Sequence, residues 1–518
     1  MNLKSPIHAP QSVVQRLFAE AAEQNNRGNY PEVIALLRRA FTLDSTNAAV
    51  ALDLGRIHAT VYDFAEAERW FEKALVMLEF QPEALLNVGH HWLSVRNYEA
   101  AQKTFERALN HPEVPIQTFI RLAEIYERHG KQDDALTMIE RALKQETNYA
   151  PARHMQAKIF RQAKQWERAE ELLRALVSNP NCDPSTRPAA WYELASVLDS
   201  QKRFDEAMSA FCEAKSLLAG EGTRALPRLR AKQAMIRETE KNLTEKIMQR
   251  WQAFGQTQLQ PARKLALLCG HARSGTTLLE YVLDAHPQII SADETSVLAN
   301  QISFALGRGN SAPPPLLPLL DSMTGRTMRQ MRADYFRGME SFLGQPIGER
   351  LLIDKNPGLT FDLPVFLRLF PETKFLVALR DPRDVCLSCF MQFAPIVTDS
   401  VAWLSLEKTV ENYASIMGLW LTLKPHLKNA AIEVRYEDMV ENLESNARRV
   451  LEFLGLPWDE RLLRFNEHAQ SKTVCSPTYA EVTKPVYKNA VGRWRNYEKY
   501  FEPHLEKLRP FLRAFGYE

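Results

Sequence analysis

The sequence predicts two architectures in one chain of 518 residues: an α-solenoid over the first half and an α/β domain with a P-loop-like parallel sheet over the second. Three observations carry that reading. A four-position apolar pattern returns at a fixed interval of 34 residues, two continuous apolar runs each end in a loop rich in arginine, serine and glycine or aspartate, and a charged helical stretch without the pattern joins the halves. A chain this long exceeds one ordinary core. The boundaries read from these features are 12–218 for the solenoid, 219–258 for a helical cap or linker, and 259–518 for the α/β domain.

The repeats come first along the chain. They read Tyr30, Val33, Leu37, Ala40; Phe64, Ala67, Phe71, Ala74; Tyr98, Ala101, Phe105, Ala108; Gln132, Ala135, Ile139, Ala142; Trp166, Ala169, Leu173, Leu176; and Phe204, Ala207, Phe211, Ala214. The period shared by the first five is that of tetratricopeptide (TPR) repeats, antiparallel helix pairs that stack into a right-handed solenoid. Small alanines let the paired helices approach, and large side chains fill the gaps beside them. The loop Asn179-Pro180-Asn181-Cys182-Asp183-Pro184 explains the longer spacing before the sixth copy. Beyond Leu218, residues 224–254 are charged and helical without a seventh copy, which fixes the two domains in one relation rather than tethering them by coil. Such a solenoid offers a groove for an acceptor protein or peptide; homo-oligomerisation or scaffolding is the alternative of equal weight.

The α/β domain opens with Leu265-Ala266-Leu267-Leu268, a short buried parallel strand, followed by Cys269-Gly270-His271-Ala272-Arg273-Ser274-Gly275-Thr276-Thr277 and an apolar helix. A loop in that position aims backbone N–H groups and the positive end of the helix at an anion above the strand. Counted from Gly270 it differs from the nucleoside-triphosphate P-loop in one residue, Thr276 where that motif requires lysine. The lysine grips outer phosphates, so its absence argues against an ATPase or GTPase. Arg273 instead offers a planar fork for two oxygens of one phosphate. The bland reading is a structural strand-to-helix turn. A second apolar strand, Lys374-Phe375-Leu376-Val377-Ala378-Leu379, runs into Arg380-Asp381-Pro382-Arg383-Asp384 and a helix bearing Ser388.

The run Arg273-Ser274-Gly275-Thr276-Thr277-Leu278 resembles the 5′-phosphosulfate loop of the sulfotransferase family, with Ala272 in place of the family's proline. Leu283-Asp284-Ala285-His286-Pro287 and Asp293-Glu294-Thr295 make the tyrosylprotein type the most similar branch, over roughly residues 262–500. The resemblance implies sulfuryl transfer from the co-substrate 3′-phosphoadenosine 5′-phosphosulfate (PAPS). It implies that Arg273, Ser274, Gly275, Thr276 and Thr277 hold the 5′-phosphosulfate, that Arg380 and Ser388 hold the 3′-phosphate, and that Tyr436 lies at the nucleotide. Arg493 falls in a segment that closes over PAPS, together with Thr483-Lys484-Pro485-Val486, and Ser476 or Thr478 falls near the transferred group.

Catalytic roles implied by the same resemblance are Glu294 as base for the acceptor hydroxyl, with Asp293 the neighbouring alternative, and Lys355 with Arg273 as the cations at developing charge. Structural alternatives are a helix cap for Glu294, a pair with Asp354 for Lys355, and a surface ion pair for Arg383 and Asp384. One departure bears on the acceptor: after Glu-Thr the tyrosylprotein type carries an arginine that receives acidic residues, and this chain has Ser296. The acceptor is therefore a protein tyrosine, or else a glycan, lipid or small metabolite. From another class, the chain is a TPR scaffold with a vestigial nucleotide site.

Composition bounds the rest. A net charge of +2 gives no nucleic-acid or membrane footprint. There is no apolar leader core near the start and no stretch of membrane-spanning length, so a soluble, cytoplasmic enzyme is expected. Six scattered cysteines do not make a secreted disulfide framework, and Cys386 and Cys389 are expected as buried thiols inside a packed helix. No metal is implied, because no metal-ligating motif occurs and a sulfuryl group carries less charge than a phosphoryl group. A chain beginning near Gln256 is expected to keep donor binding, since every predicted phosphate ligand lies beyond it.

Overall fold

The computed structural model describes residues 9–302, 306–307, 315–427, 429–470 and 490–518, with side chains from Val13 onward except at Gln470. Ser476, Thr478 and Thr483-Lys484-Pro485-Val486 lie outside the described residues. The chain forms two compact units, Met1–Tyr126 with Thr295–Pro346, and Glu127–Glu294 with Ile347–Glu518.

In the first unit the four-position pattern marks the second helix of each pair, at Tyr30–Leu43, Phe64–Met77 and Tyr98–Ala108. Ala67, Phe71 and Ala74 are buried, as are Ala101, Phe105 and Ala108. The close approach that the alanines permit is completed by glycine on the facing helix: a Cβ on Gly55 would lie 2.4 Å from the Phe71 ring, and one on Gly89 would lie 2.2 Å from Phe105. Asp63 and Asn97 cap the second helices through the N–H of Glu66 and Ala100, satisfying donors a helix start leaves bare. The segment Thr295–Pro346 contributes helices Val297–Ile302, Leu316–Ser322 and Gly325–Leu343 to this unit. The Tyr62 hydroxyl accepts the Ser296 N–H at 2.9 Å, Asn300 donates to the Thr60 carbonyl at 2.7 Å, and the Tyr62 ring meets Phe342 edge-on at 5.1 Å.

The second unit starts with further helix pairs and ends in the sheet. Its last pair comprises α1 (Arg187–Ser200) and α2 (Phe204–Asn242). At about 1.5 Å per residue α2 is roughly 58 Å long, so the sixth repeat and the linker share one helix. It lies on the α/β portion: Ala225 and Leu229 pack on Val401 and Ala402, Phe211 meets Phe390, and Lys232 pairs with Asp399 at 2.7 Å. Lys215, also on α2, is buried and donates to the Gln392 carbonyl at 2.7 Å; burial pushes its ammonium down to about 8.

The sheet is entirely parallel: β1 (Leu265–Gly270), β2 (Ile289–Asp293), β3 (Leu351–Lys355), β4 (Lys374–Leu379) and β5 (Ala431–Arg435), in the order β2-β3-β1-β4-β5. All six residues of β1 are buried, as both-face coverage of a parallel sheet requires. The chain leaves β1 toward β2 and β3 on one side, then crosses to β4 and β5 on the other. That reversal opens a crevice beyond the carboxyl ends of β1, β3 and β4, where open α/β sheets bind ligands.

Candidate active site

Register delivers the site. Leu268 pairs with Lys355, Asp293 pairs with Lys355 across the next ladder, and Leu379 pairs with Arg435. Lys355, Asp293 and Glu294 therefore end two neighbouring strands, while Arg380 and Tyr436 each lie one residue past another neighbouring pair. The loop after β1 completes the crevice and leads into α3 (Thr276–Asp284).

Gly275 caps α3 with φ +95°, and a Cβ there would come within 2.7 Å of the Tyr436 ring. Only glycine meets both demands. Among the described residues no side chain caps the helix start, and a helix start of this kind attracts an anion. Ser274, Thr276 and Thr277 are buried around it. Thr360 clamps the loop's base, accepting the Gly270 N–H at 2.9 Å and donating to the Gly270 carbonyl at 2.6 Å.

On the β4 side, Arg273 Nε donates to Ser388 Oγ at 3.0 Å, which ties the loop to α4 (Pro382–Phe390). Arg380 Nη1 donates to the Arg273 carbonyl at 3.3 Å, Nη2 donates to the Ala490 carbonyl, and the guanidinium lies 5.1 Å from the Tyr436 ring centre. Arg273, Ser388, Arg380 and Tyr436, far apart in sequence, thus form one cluster. Two buried polar atoms in it, Ser274 Oγ and Arg380 Nε, have no hydrogen-bond partner among the described residues. A phosphate-bearing ligand fits that donor set.

On the β2–β3 side, Lys355 is wholly buried within reach of three carboxylates: Asp293, its closest contact, Glu280 at 3.2 Å and Glu294 at 3.3 Å. Burial opposes the lysine's charge, but Glu280, Asp293 and Glu294 outweigh it and raise its pKa. Glu280 is held well above the usual carboxylate range, chiefly by burial, with Lys355 opposing and Asp293 and Asp284 adding to the shift. Glu294 has φ +50°, a backbone conformation that a side chain adopts at a cost and that turns the chain sharply at the end of β2.

Thr295 Oγ1 accepts the Val297 N–H at the next helix start. Lys355 takes its ion pairs from Glu280, Asp293 and Glu294. Arg383 pairs with Asp381, and Asp384 accepts the backbone N–H groups of Gly492 and Trp494. Arg493 donates to Asp199 of α1 at 2.6 Å. Cys386 and Cys389 are buried free thiols, and burial holds Cys389 near 12.

Glu280 was not singled out from sequence. Its signal was present: an acid one turn beyond Thr276 and Thr277, flanked by leucine, tyrosine and valine in the helix. As a buried polar neighbour 3.2 Å from the Lys355 ammonium, it should tolerate Glu280→Gln, which keeps an oxygen toward the lysine, with most turnover retained. Glu280→Leu, which keeps bulk but offers no oxygen, should lower kcat on the order of tenfold with nucleotide affinity unchanged. Steady-state kinetics beside calorimetry reads both, and equal kcat for the two variants would reduce Glu280 to packing.

Comparison with known proteins agrees in position with both parts. Residues 266–460 match the family model described as sulfotransferase family, and residues 48–79 match a tetratricopeptide repeat model. Residues 128–214 match the model of anaphase-promoting complex, cyclosome, subunit 3. An uncharacterised protein of Aquifex aeolicus is 26% identical over 351 residues, covering 65% of this chain and 44% of that protein. Protein-tyrosine sulfotransferase A of Caenorhabditis elegans is 27% identical over 255 residues, covering 48% of this chain and 66% of that protein. The match therefore spans less than two thirds of either relative. Among solved structures, the sulfotransferase domain from the Synechococcus PCC 7002 olefin synthase aligns over 47% of this chain and 95% of its own at 21% identity and TM-score 0.33.

Proposed function

We propose that this chain, whose residues 266–460 match the sulfotransferase family, moves a sulfuryl group from PAPS to an acceptor hydroxyl, with protein tyrosine as the acceptor class. The observation that carries the reading is the division of the crevice: an anion cradle joined through Arg273, Ser388 and Arg380 on one side, and a lysine–carboxylate cluster on the other.

The chain's residues divide the work accordingly. The loop N–H groups and Arg273 fix the 5′-phosphosulfate, while Arg380 and Ser388 fix the 3′-phosphate. Asp293, in closest contact with Lys355, holds that ammonium where charge builds on the bridging and sulfuryl oxygens. Glu294 takes the acceptor's proton as its oxygen attacks sulfur in line. Spread of charge over equatorial oxygens resembles phosphoryl transfer, but the smaller charge is met by Arg273 and Lys355 alone.

Two features support a polypeptide acceptor: the tetratricopeptide match, since such repeats commonly bind extended peptides, and the likeness to protein-tyrosine sulfotransferases. One favours a small hydroxylated acceptor instead, Ser296 in place of the arginine that receives acidic peptide residues. Purified chain and radiolabelled PAPS added to a lysate separate the two. Label in the protein fraction, released as sulfotyrosine on hydrolysis, is the expected result; label confined to glycan, lipid or small-molecule fractions supports the second. Among the described residues no helix is long and apolar enough to cross a membrane.

A further inference from the structure

Asp199 stands one residue from the end of α1, on the solenoid side of the second unit, and its side chain is 15% exposed. Its Oδ2 accepts from Arg493 Nη2 at 2.6 Å and its Oδ1 from the Tyr497 hydroxyl at 2.5 Å. Both donors belong to the strap 490–497. A second carboxylate staples the same strap: Asp384 of α4 accepts the N–H of Gly492 at 2.7 Å and of Trp494 at 2.8 Å. The Trp494 ring lies 3.9 Å from the Arg383 guanidinium. At the strap's start the Ala490 carbonyl accepts from Arg380, the arginine assigned to the 3′-phosphate. Tyr497 is fully buried, its ring against Phe204 of α2 at 5.4 Å, so its hydroxyl depends on Asp199 for a partner.

The strap is thus attached at three places: the phosphate arginine, the helix that carries Ser388, and the last solenoid repeat. On the same face of α1, two turns before Asp199, Tyr192 packs on Phe393 just past α4. We propose that Asp199 is a positioning residue of the donor-nucleotide site, through which the last solenoid repeat holds the 490–497 strap in place beside Arg380. The role rests on the PAPS reading above. It makes the repeat part of the nucleotide-binding apparatus, so a partner that moves α1 changes donor affinity and the donor changes partner affinity by the same factor.

The test uses the full chain with Asp199→Ala, Asp199→Asn and Arg493→Ala, titrated with 3′-phosphoadenosine 5′-phosphate (PAP), beside steady-state kinetics and thermal melting. Asp199→Ala should weaken PAP binding and raise the donor KM roughly tenfold, with kcat at donor saturation and acceptor KM little changed. A docking staple with no link to the nucleotide would lower the melting temperature without that split. Asp199→Ala combined with Arg493→Ala should lose less PAP affinity than the two single losses summed, because the two residues share one contact while Asp199 also serves the Tyr497 hydroxyl. If Asp199→Ala does not fold, Asp199→Asn carries the test with a roughly threefold loss, since it keeps one oxygen acceptor but no charge. PAP affinity within experimental error of wild type in the folded variant overturns the positioning role. Absence of PAP binding by the wild type overturns the donor reading itself, and the role with it.

Discussion

Glu294→Ala is expected to lower turnover roughly 10²–10⁴-fold while PAP affinity stays near that of the wild type. The carboxylate follows β2 beside Lys355, whereas Arg273 donates to Ser388 and Arg380 donates to the Arg273 carbonyl. Single-turnover rates with calorimetry on the same preparation separate chemistry from binding. The neighbour supplies the control. Asp293 is closest to Lys355, so Asp293→Ala should misplace the lysine and lower turnover, yet leave a base in place. Inactive Asp293→Ala with active Glu294→Ala would exchange the two roles. Lys355→Ala should also depress turnover more than binding, and it should destabilise the fold, because it leaves buried Glu280 without its ion-pair partner.

Arg380→Ala is expected to weaken PAP binding by about 2 kcal/mol or more, roughly thirtyfold. Arg380 is 8% exposed, its Nε lacks a hydrogen-bond partner among the described residues, and its guanidinium bridges the Arg273 carbonyl and the Tyr436 ring. Its loss removes a charge-assisted donor and loosens the loop it holds. Because the 3′-phosphate is bound alike before and during transfer, the effect should fall on affinity and donor KM rather than on kcat. Ser388→Ala should act in the same direction and less strongly, since a neutral hydroxyl contributes less than an ion. Calorimetry with PAP measures both, and unchanged affinity in Arg380→Ala removes the 3′-phosphate assignment.

What the sequence made legible was local or periodic. Parallel strands buried on both faces read as continuous apolar runs, so Leu265–Gly270 and Lys374–Leu379 stand where those runs stand. Each repeat declares itself by its alanines, and the second helices begin at Tyr30, Phe64, Tyr98, Gln132, Trp166 and Phe204. The loop residues, Arg273 and Arg380 were singled out because each lies in a contiguous motif. What was missed depends on contacts distant in sequence. Glu280 looks like one helix residue until β3 brings Lys355 beside it. Gly55 and Gly89 gain their meaning from Phe71 and Phe105 across the pair. Asp199 is an unremarked helix end until residues nearly three hundred positions later return to it.

The same distant contacts revise one expectation. A chain beginning near Gln256 would keep every predicted phosphate ligand, but it would lose Ala225 and Leu229 from Val401 and Ala402, Lys232 from Asp399, and Asp199 from the strap. Such a truncation exposes apolar surface and removes the strap's solenoid anchor, so weakened nucleotide binding is now the expected outcome. It therefore does not isolate acceptor recruitment, and point variants in the intact chain are the better instruments.

The central claim is that the cluster of Arg273, Ser388 and Arg380 reads a 3′-phosphate on a sulfuryl donor. The most direct measurement is the initial rate of radiolabelled sulfate transfer by the wild-type chain to lysate acceptors, with PAPS and with adenosine 5′-phosphosulfate at equal concentration. The account predicts label from PAPS and little from the donor that lacks the 3′-phosphate. Equal transfer from both, or none from PAPS, would contradict it.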